Sequence, residues 1–330
     1  MNRQVTKDLT TGSPMHLILG FGVPLLMGMQ FQQFYSMVDT IIVGQFLGVN
    51  ALASVGATGS INFMIIGFCM GVCNGFAIPV AQRFGAKDEE GLRKYVANSA
   101  WLAIIFAVVM TVLVCLFCRR ILEVMNTPPD IVDGSYSYIF VIFLGIPATY
   151  LYNLLSGIMR SLGDSKTPLY FLIFSSLLNI FFDLTAIIVL HMGVAGAAWA
   201  TVLAQAISGL CCLFVMRRKF PILHISRKEA RPDGRCMLML CNMGIPMGLQ
   251  YSITAIGSVI LQTAVNSLGS VAVASVTAAS KISMFLCCPY DAMGSTMATY
   301  AGQNVGAGKL ERLYQGEKVC SLLGLIAWQR

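Results

Sequence analysis

The sequence predicts an all-α polytopic membrane protein, and three observations carry that prediction. Of the 330 residues, 56% are hydrophobic and only 11% charged, where soluble domains carry about 25% charged residues. Several apolar stretches exceed the roughly 18–20 residues that cross a bilayer as a helix. These stretches are continuous and do not alternate, which argues against a transmembrane β-barrel.

The spans follow in order. Residues 1–15 are polar, and the apolar run of span 1 at 16–46 is too long for a cleaved signal peptide, so none is expected. Span 2 covers 53–82 and ends in "AQRFGA". Span 3 covers 95–118 and closes on Cys115, Cys118, Arg119 and Arg120. Spans 4 and 5, at 135–159 and 167–190, flank "SGIMRSLGDSKTPLY". Span 6 at 194–216 runs into the longest polar stretch, 217–235, which contains Pro221, Pro232 and Gly234. Spans 7 and 8 occupy 237–267 and 271–303, and a ninth begins near 317, where the sequence given stops within it.

The eleven cysteines all lie in or at the ends of these runs. Cys115 and Cys118 form a CxxC, but a metal site needs a second ligand pair and none is evident, so they read as core fillers. The net charge of +7 does not signal nucleic acid, because the basic residues cluster in loops. With the N-terminus cytoplasmic, eighteen Lys and Arg fall inside and only Arg119 and Arg120 outside. That bias predicts a multi-pass protein of the inner cell membrane with its N-terminus in the cytoplasm.

An internal repeat divides the chain. "LGVNALASVGA" at 47–57 aligns on "LGSVAVASVTA" at 268–278, an offset of 221 that also pairs Gln82, Gly85 and Ala86 with Gln303, Gly306 and Ala307. "GVP" at 22–24 matches "GIP" at 244–246 one residue out of register. Six spans separate the copies, so both point the same way, a known transporter construction. The expected organisation is a six-helix lobe at 1–220, a basic cytoplasmic linker at 221–236 and an incomplete second lobe at 237–330.

Few charged residues fall well inside a span. Asp39 and Asp183 each sit about seven residues from the outer end of spans 1 and 5, or roughly 10 Å deep. Thr201 lies at a similar depth in span 6, and Asn179 is one turn from Asp183 on the same face. A carboxylate in hydrocarbon costs at least about 2.5–3.5 kcal/mol on insertion scales. Thr201 alone would read as interhelical glue, but two aspartates at one depth read as function. Their hard oxygens suit Na⁺, and two carboxylates that share a low-dielectric site also suit a proton. The residues leave that choice open.

Lys281 and Asp291 lie ten residues apart in span 8 and are candidates for lining a substrate cavity. Gln33 and Tyr35, set among methionines in span 1, would supply a tolerant binding wall. Pro24 removes a backbone hydrogen bond early in span 1 and is a candidate hinge.

Four stretches together resemble the multidrug and toxic compound extrusion (MATE) transporters, over essentially the whole chain. They are "VDTIIVGQFLGVNALASVG", "SGIMRSLGDSKTPLY", "NIFFDLTAIIVLHMGVAGAAWATVLAQ" and the pair "AQRFGA" and "GQNVGAG". The resemblance implies a two-lobe bundle of twelve helices with a parallel six-helix repeat. It implies a monomer that exports amphipathic, often cationic small molecules across the bilayer in exchange for Na⁺ or H⁺. No catalysis, resident metal, other cofactor or nucleic-acid partner goes with it. Asp39, Asn179, Asp183 and Thr201 match the family's cation-coupling residues. At the repeat offset Asp39 corresponds to Ile260, so the second lobe lacks the carboxylate. The departure from the pattern is length, since the sequence reaches only the ninth of twelve helices.

Two other readings are weaker. A lipid-linked precursor flippase shares a related architecture, but its diphosphate would want a strongly basic cavity, and Lys281 is the one clear intramembrane cation. An intramembrane aspartyl protease would resemble its kind in a Gly-x-Gly-Asp motif, whereas "IFF" precedes Asp183.

Overall fold

A computed structural model describes the backbone of residues 6–125, 127, 131–266 and 270–328, and the side chains of these except 49, 259, 262–282 and 326–328. It is all-helical, with ten α-helices and no strand among the described residues. They are α1 Pro14–Leu47, α2 Val49–Gly85, α3 Glu89–Val124, α4 Val132–Leu144 and α5 Ile146–Ser161. The rest are α6 Lys166–Leu184, α7 Gly193–Lys219, α8 Gly234–Asn266, α9 Ser270–Gly306 and α10 Leu310–Trp328.

Local chemistry sets these boundaries. Asp88 caps α3, its Oδ1 accepting from the Gly91 N–H at 2.8 Å, and Glu89 and Glu90 complement the positive end of the helix. The predicted fourth span is two helices, α4 and α5, bent by 46° at Gly145, with Pro147 in the first turn of α5. α6 continues beyond Asp183 into a π-helical turn, Thr185–Val189. The ninth span starts at Leu310, seven residues before the sequence reading placed it.

Among the described residues, five helices, α1, α2, α3, α6 and α7, are long and apolar enough to cross a membrane, and the bent α4–α5 pair makes a sixth. The outer face of α3 shows what such a helix offers lipid. Val108, Val112, Leu116 and Phe117 are all exposed there, a stripe that only hydrocarbon can cover without loss.

Two apolar cores hold the bundle. The larger joins α2 to α7 and reaches Cys236 and Leu240 at the start of α8. The smaller seats Leu17, Ile18, Phe21 and Leu25 of α1 against Ala292 and Tyr300 of α9. The proximal half of α1 thus packs with the second half of the chain, while its distal Ile42 and Val43 belong to the first core.

The repeat is visible as a crossing of helix ends. A Cβ on Gly85 would fall 1.9 Å from the carbonyl oxygen of Gln303, and one on Gly306 would fall 1.8 Å from that of Gln82. These are the residues related by the offset of 221, so the ends of α2 and α9 meet backbone to backbone in a reciprocal contact.

The N-terminal segment wedges into the same end of the bundle. The Lys7 N–H donates to the Leu162 carbonyl at 3.0 Å. The Leu9 N–H donates to Gln303 Oε1 at 2.8 Å, and Gln303 Nε2 donates to the Ser161 carbonyl at 2.8 Å. Lys309 and Arg312 donate to the carbonyls of Thr10 and Gly12, each at 2.9 Å. Leu9 is buried there, and one stretch of chain ties α5 to α9 and α10.

The linker is likewise pinned. Arg93 of α3 pairs with Glu229 at 2.7 Å, and Lys94 pairs with Asp233. Trp101 donates to the Ala230 carbonyl at 3.0 Å. The linker's two acids face α3, which leaves its bases outward.

Candidate functional site

Asp39, Asn179, Asp183 and Thr201 converge, although they come from three helices. Asp183 and Asn179 project from one face of α6 and are buried. In the orientation that satisfies both neighbours, Asn179 Nδ2 donates to Asp183 Oδ2 at 3.1 Å. Its Oδ1 then accepts from Thr201 Oγ1 at 3.2 Å and from the Thr201 backbone N–H at 3.1 Å. The reverse orientation keeps the contact with Thr201 but turns an amide oxygen toward the carboxylate, so we adopt the first. Asp39 of α1 approaches Asp183 closely enough to share a hydrogen bond.

Two tyrosines complete the shell. Tyr35 stands one turn before Asp39 and lies beside Thr201 and both aspartates. Tyr138 of α4 is buried close to Asp39, Asp183 and Tyr35. The sequence reading placed Tyr35 in a substrate wall, and the structure places it against the acids. The spacing from Asp39 is the signal that points there. Tyr138 carried no such signal.

The set fits a small cation. Asp183 Oδ1 is buried and has no hydrogen-bond partner among the described residues, an orphaned acceptor of the kind that a bound ion or proton would satisfy. The two carboxylates and the hydroxyls beside them are hard donors of the kind that Na⁺ takes. The same pair can hold one proton between its oxygens.

A separate cavity of about 390 Å³ lies between α2, α5, α8 and α9. Asn74, Arg160, Gln250, Tyr251, Asp291 and Thr299 are among its polar lining residues. Asp291 is therefore in a cavity wall. Gln33 is half-buried on α1 and does not line it. Lys281 lies on α9, and its side chain is outside the described residues. Pro24 sits within α1, which runs unbroken through it. Arg160, one of the eighteen bases that the charge bias puts on the cytoplasmic side, belongs to the last turn of α5 and lines this cavity.

Comparisons with known proteins agree with this architecture. The family model described as MatE matches residues 24–185 and 246–327. The probable multidrug resistance protein YoeA of Bacillus subtilis (strain 168) is 30% identical over 304 residues, 89% of this chain and 65% of its own length. The probable multidrug resistance protein YpnP of the same organism is 29% identical, over 93% of this chain and 68% of its length. The chain thus spans about two thirds of the curated relatives it matches. A multidrug resistance MATE family transporter of the MOP superfamily, solved outward-facing, superposes with a TM-score of 0.91 at 25% identity, covering 98% of this chain and 72% of that one. The chain is a multi-pass membrane protein and belongs to the MATE family of transporters.

Proposed function

We propose that this chain carries the coupling machinery and much of the substrate path of a cation-driven exporter of amphipathic compounds. The observation that carries the proposal is the meeting of Asp39 and Asp183 beside Asn179, Thr201 and Tyr35. Two acids in one low-dielectric pocket repel each other unless a cation or proton enters. Binding there favours the arrangement of α1, α6 and α7 that brings the acids together. Release favours one that separates them. Because α1 also packs on α9, a change at the acid pair acts on the walls of the central cavity. Ion and substrate then compete through that shift, which is alternating access. The loop bias of Lys and Arg supports a cytoplasmic N-terminus and export outward across the cell membrane.

The test is efflux of a cationic dye from proteoliposomes under separately imposed Na⁺ and H⁺ gradients. The active gradient names the ion. Asp39→Asn and Asp183→Asn are each expected to abolish gradient-driven transport while leaving thermal melting unchanged. Wild-type transport in both variants would refute the proposal.

A further inference from the structure

We propose that the central cavity contains an anion site at Arg160, so that its substrates include amphiphiles bearing a carboxylate or phosphate. The proposal rests on the export reading in taking this cavity as the substrate's.

Arg160 is half-buried in the cavity wall. Its Nη2 donates to Asn74 Oδ1 at 2.9 Å, and Asn74 is neutral. No carboxylate pairs with it among the described residues, whose ion pairs all lie elsewhere. A guanidinium presents five N–H donors in a planar fork, and one Asn oxygen occupies only part of it. Charge left unpaired away from water is unfavourable, and the group that best relieves it is a bidentate acid.

The surroundings match that role. Gln250, Tyr251, Ser295 and Thr299 line the same space and bring amide and hydroxyl donors to it. Asp291, the one acid among the described residues that line the cavity, stands on α9 and makes no ion pair with Arg160. Tyr251 lines the same cavity as both. The cavity is thus positive at α5 and negative at α9, and its volume of about 390 Å³ is within the range of small-molecule sites. The acid pair at Asp39 and Asp183 is elsewhere in the bundle. Asp183 lies seventeen residues along α6 from its first residue, Lys166, which follows the end of α5 at Ser161 by a short turn, so roughly 25 Å of helix separates the two levels.

Two xanthene dyes of like size and opposite charge test this, fluorescein as the anion and rhodamine 6G as the cation. Fluorescence anisotropy with the purified protein in nanodiscs reads their affinities. Arg160→Gln is expected to weaken fluorescein about tenfold or more, as for a lost charge-assisted hydrogen bond, and rhodamine less than twofold. Arg160→Lys should restore part of the loss. Asp291→Asn should tighten fluorescein several-fold, an independent arm should Arg160→Gln fail to fold. Octyl phosphate should displace bound fluorescein from the unaltered protein. Equal fluorescein binding by the wild type and Arg160→Gln overturns the site. So does a wild type that binds rhodamine but not fluorescein, which leaves the export reading standing. Binding of neither dye overturns both.

Discussion

Asn179 is the residue through which one carboxylate touches the next helix. Its amide hydrogens reach Asp183 and its oxygen reaches Thr201, so it fixes the distance between α6 and α7 at the acid pair. Asn179→Ala removes a hydrogen bond to a charged group, and the cation concentration that half-saturates dye transport should rise about tenfold or more. An unchanged half-saturation would mean that Asn179 only packs. Gln303 has a parallel structural role, since it is buried and bonds two backbone groups at once. Gln303→Ala should leave the Leu9 N–H and the Ser161 carbonyl unmatched, each worth about 1–3 kcal/mol. Hydrogen exchange at Leu9 is expected to accelerate by tenfold or more, and exchange at the wild-type rate would contradict that. Sequence made the depth of Asp39, Asp183 and Thr201 legible, because helix rise converts position into height. It did not make Arg160 legible. A base near the end of an apolar run looks the same whether its guanidinium turns outward to water or inward to a cavity.

Among the elements, the linker shows how charge orders a loop. Glu229 accepts from the Ser226 backbone N–H at 2.7 Å and pairs with Arg93, and these contacts hold its carboxyl down at about 2 from its ordinary 4.5. A depressed carboxyl adds stability that is complete above pH 4.5 and is lost as pH falls toward 2. Protection of the Ser226 and Glu229 amides, taken as the exchange rate relative to that of the unfolded peptide at the same pH, should therefore fall across that window and stay flat from pH 5 to 8. At neutral pH, Glu229→Gln should raise tryptic cleavage at Arg227 and Lys228 several-fold. Equal cleavage in the two proteins would show that the pair does not hold the linker. Helix order was legible from hydrophobic runs, but the bend at Gly145 was not. "GIP" begins α5, yet the same tripeptide at 244–246 and "GVP" at 22–24 lie inside unbroken helices. Proline at the first turn and proline within a span read alike until packing chooses between them.

For the whole molecule, the crossing of α2 and α9 decides how closely the two halves approach. Only glycine fits at 85 and 306, because any side chain would meet a backbone carbonyl that cannot move alone. Gly85→Leu should drive the helix ends apart by about 2 Å, the spread that contact side chains impose on helix pairs. Spin labels at Lys87 and Gly308, both exposed, would report the change, and an unaltered distance would show that the crossing does not set the gap. The repeat that places these glycines was readable as an offset, but their mutual contact was not, since alignment gives correspondence and not proximity. The wedged N-terminal segment has a consequence for biosynthesis. Leu9 finds its partner 295 residues later, at Asn304. Its seat does not exist while the intervening helices are being made. Synthesis runs at about 5–20 residues per second, so this segment waits tens of seconds on the ribosome before the chain behind it supplies the place where it settles.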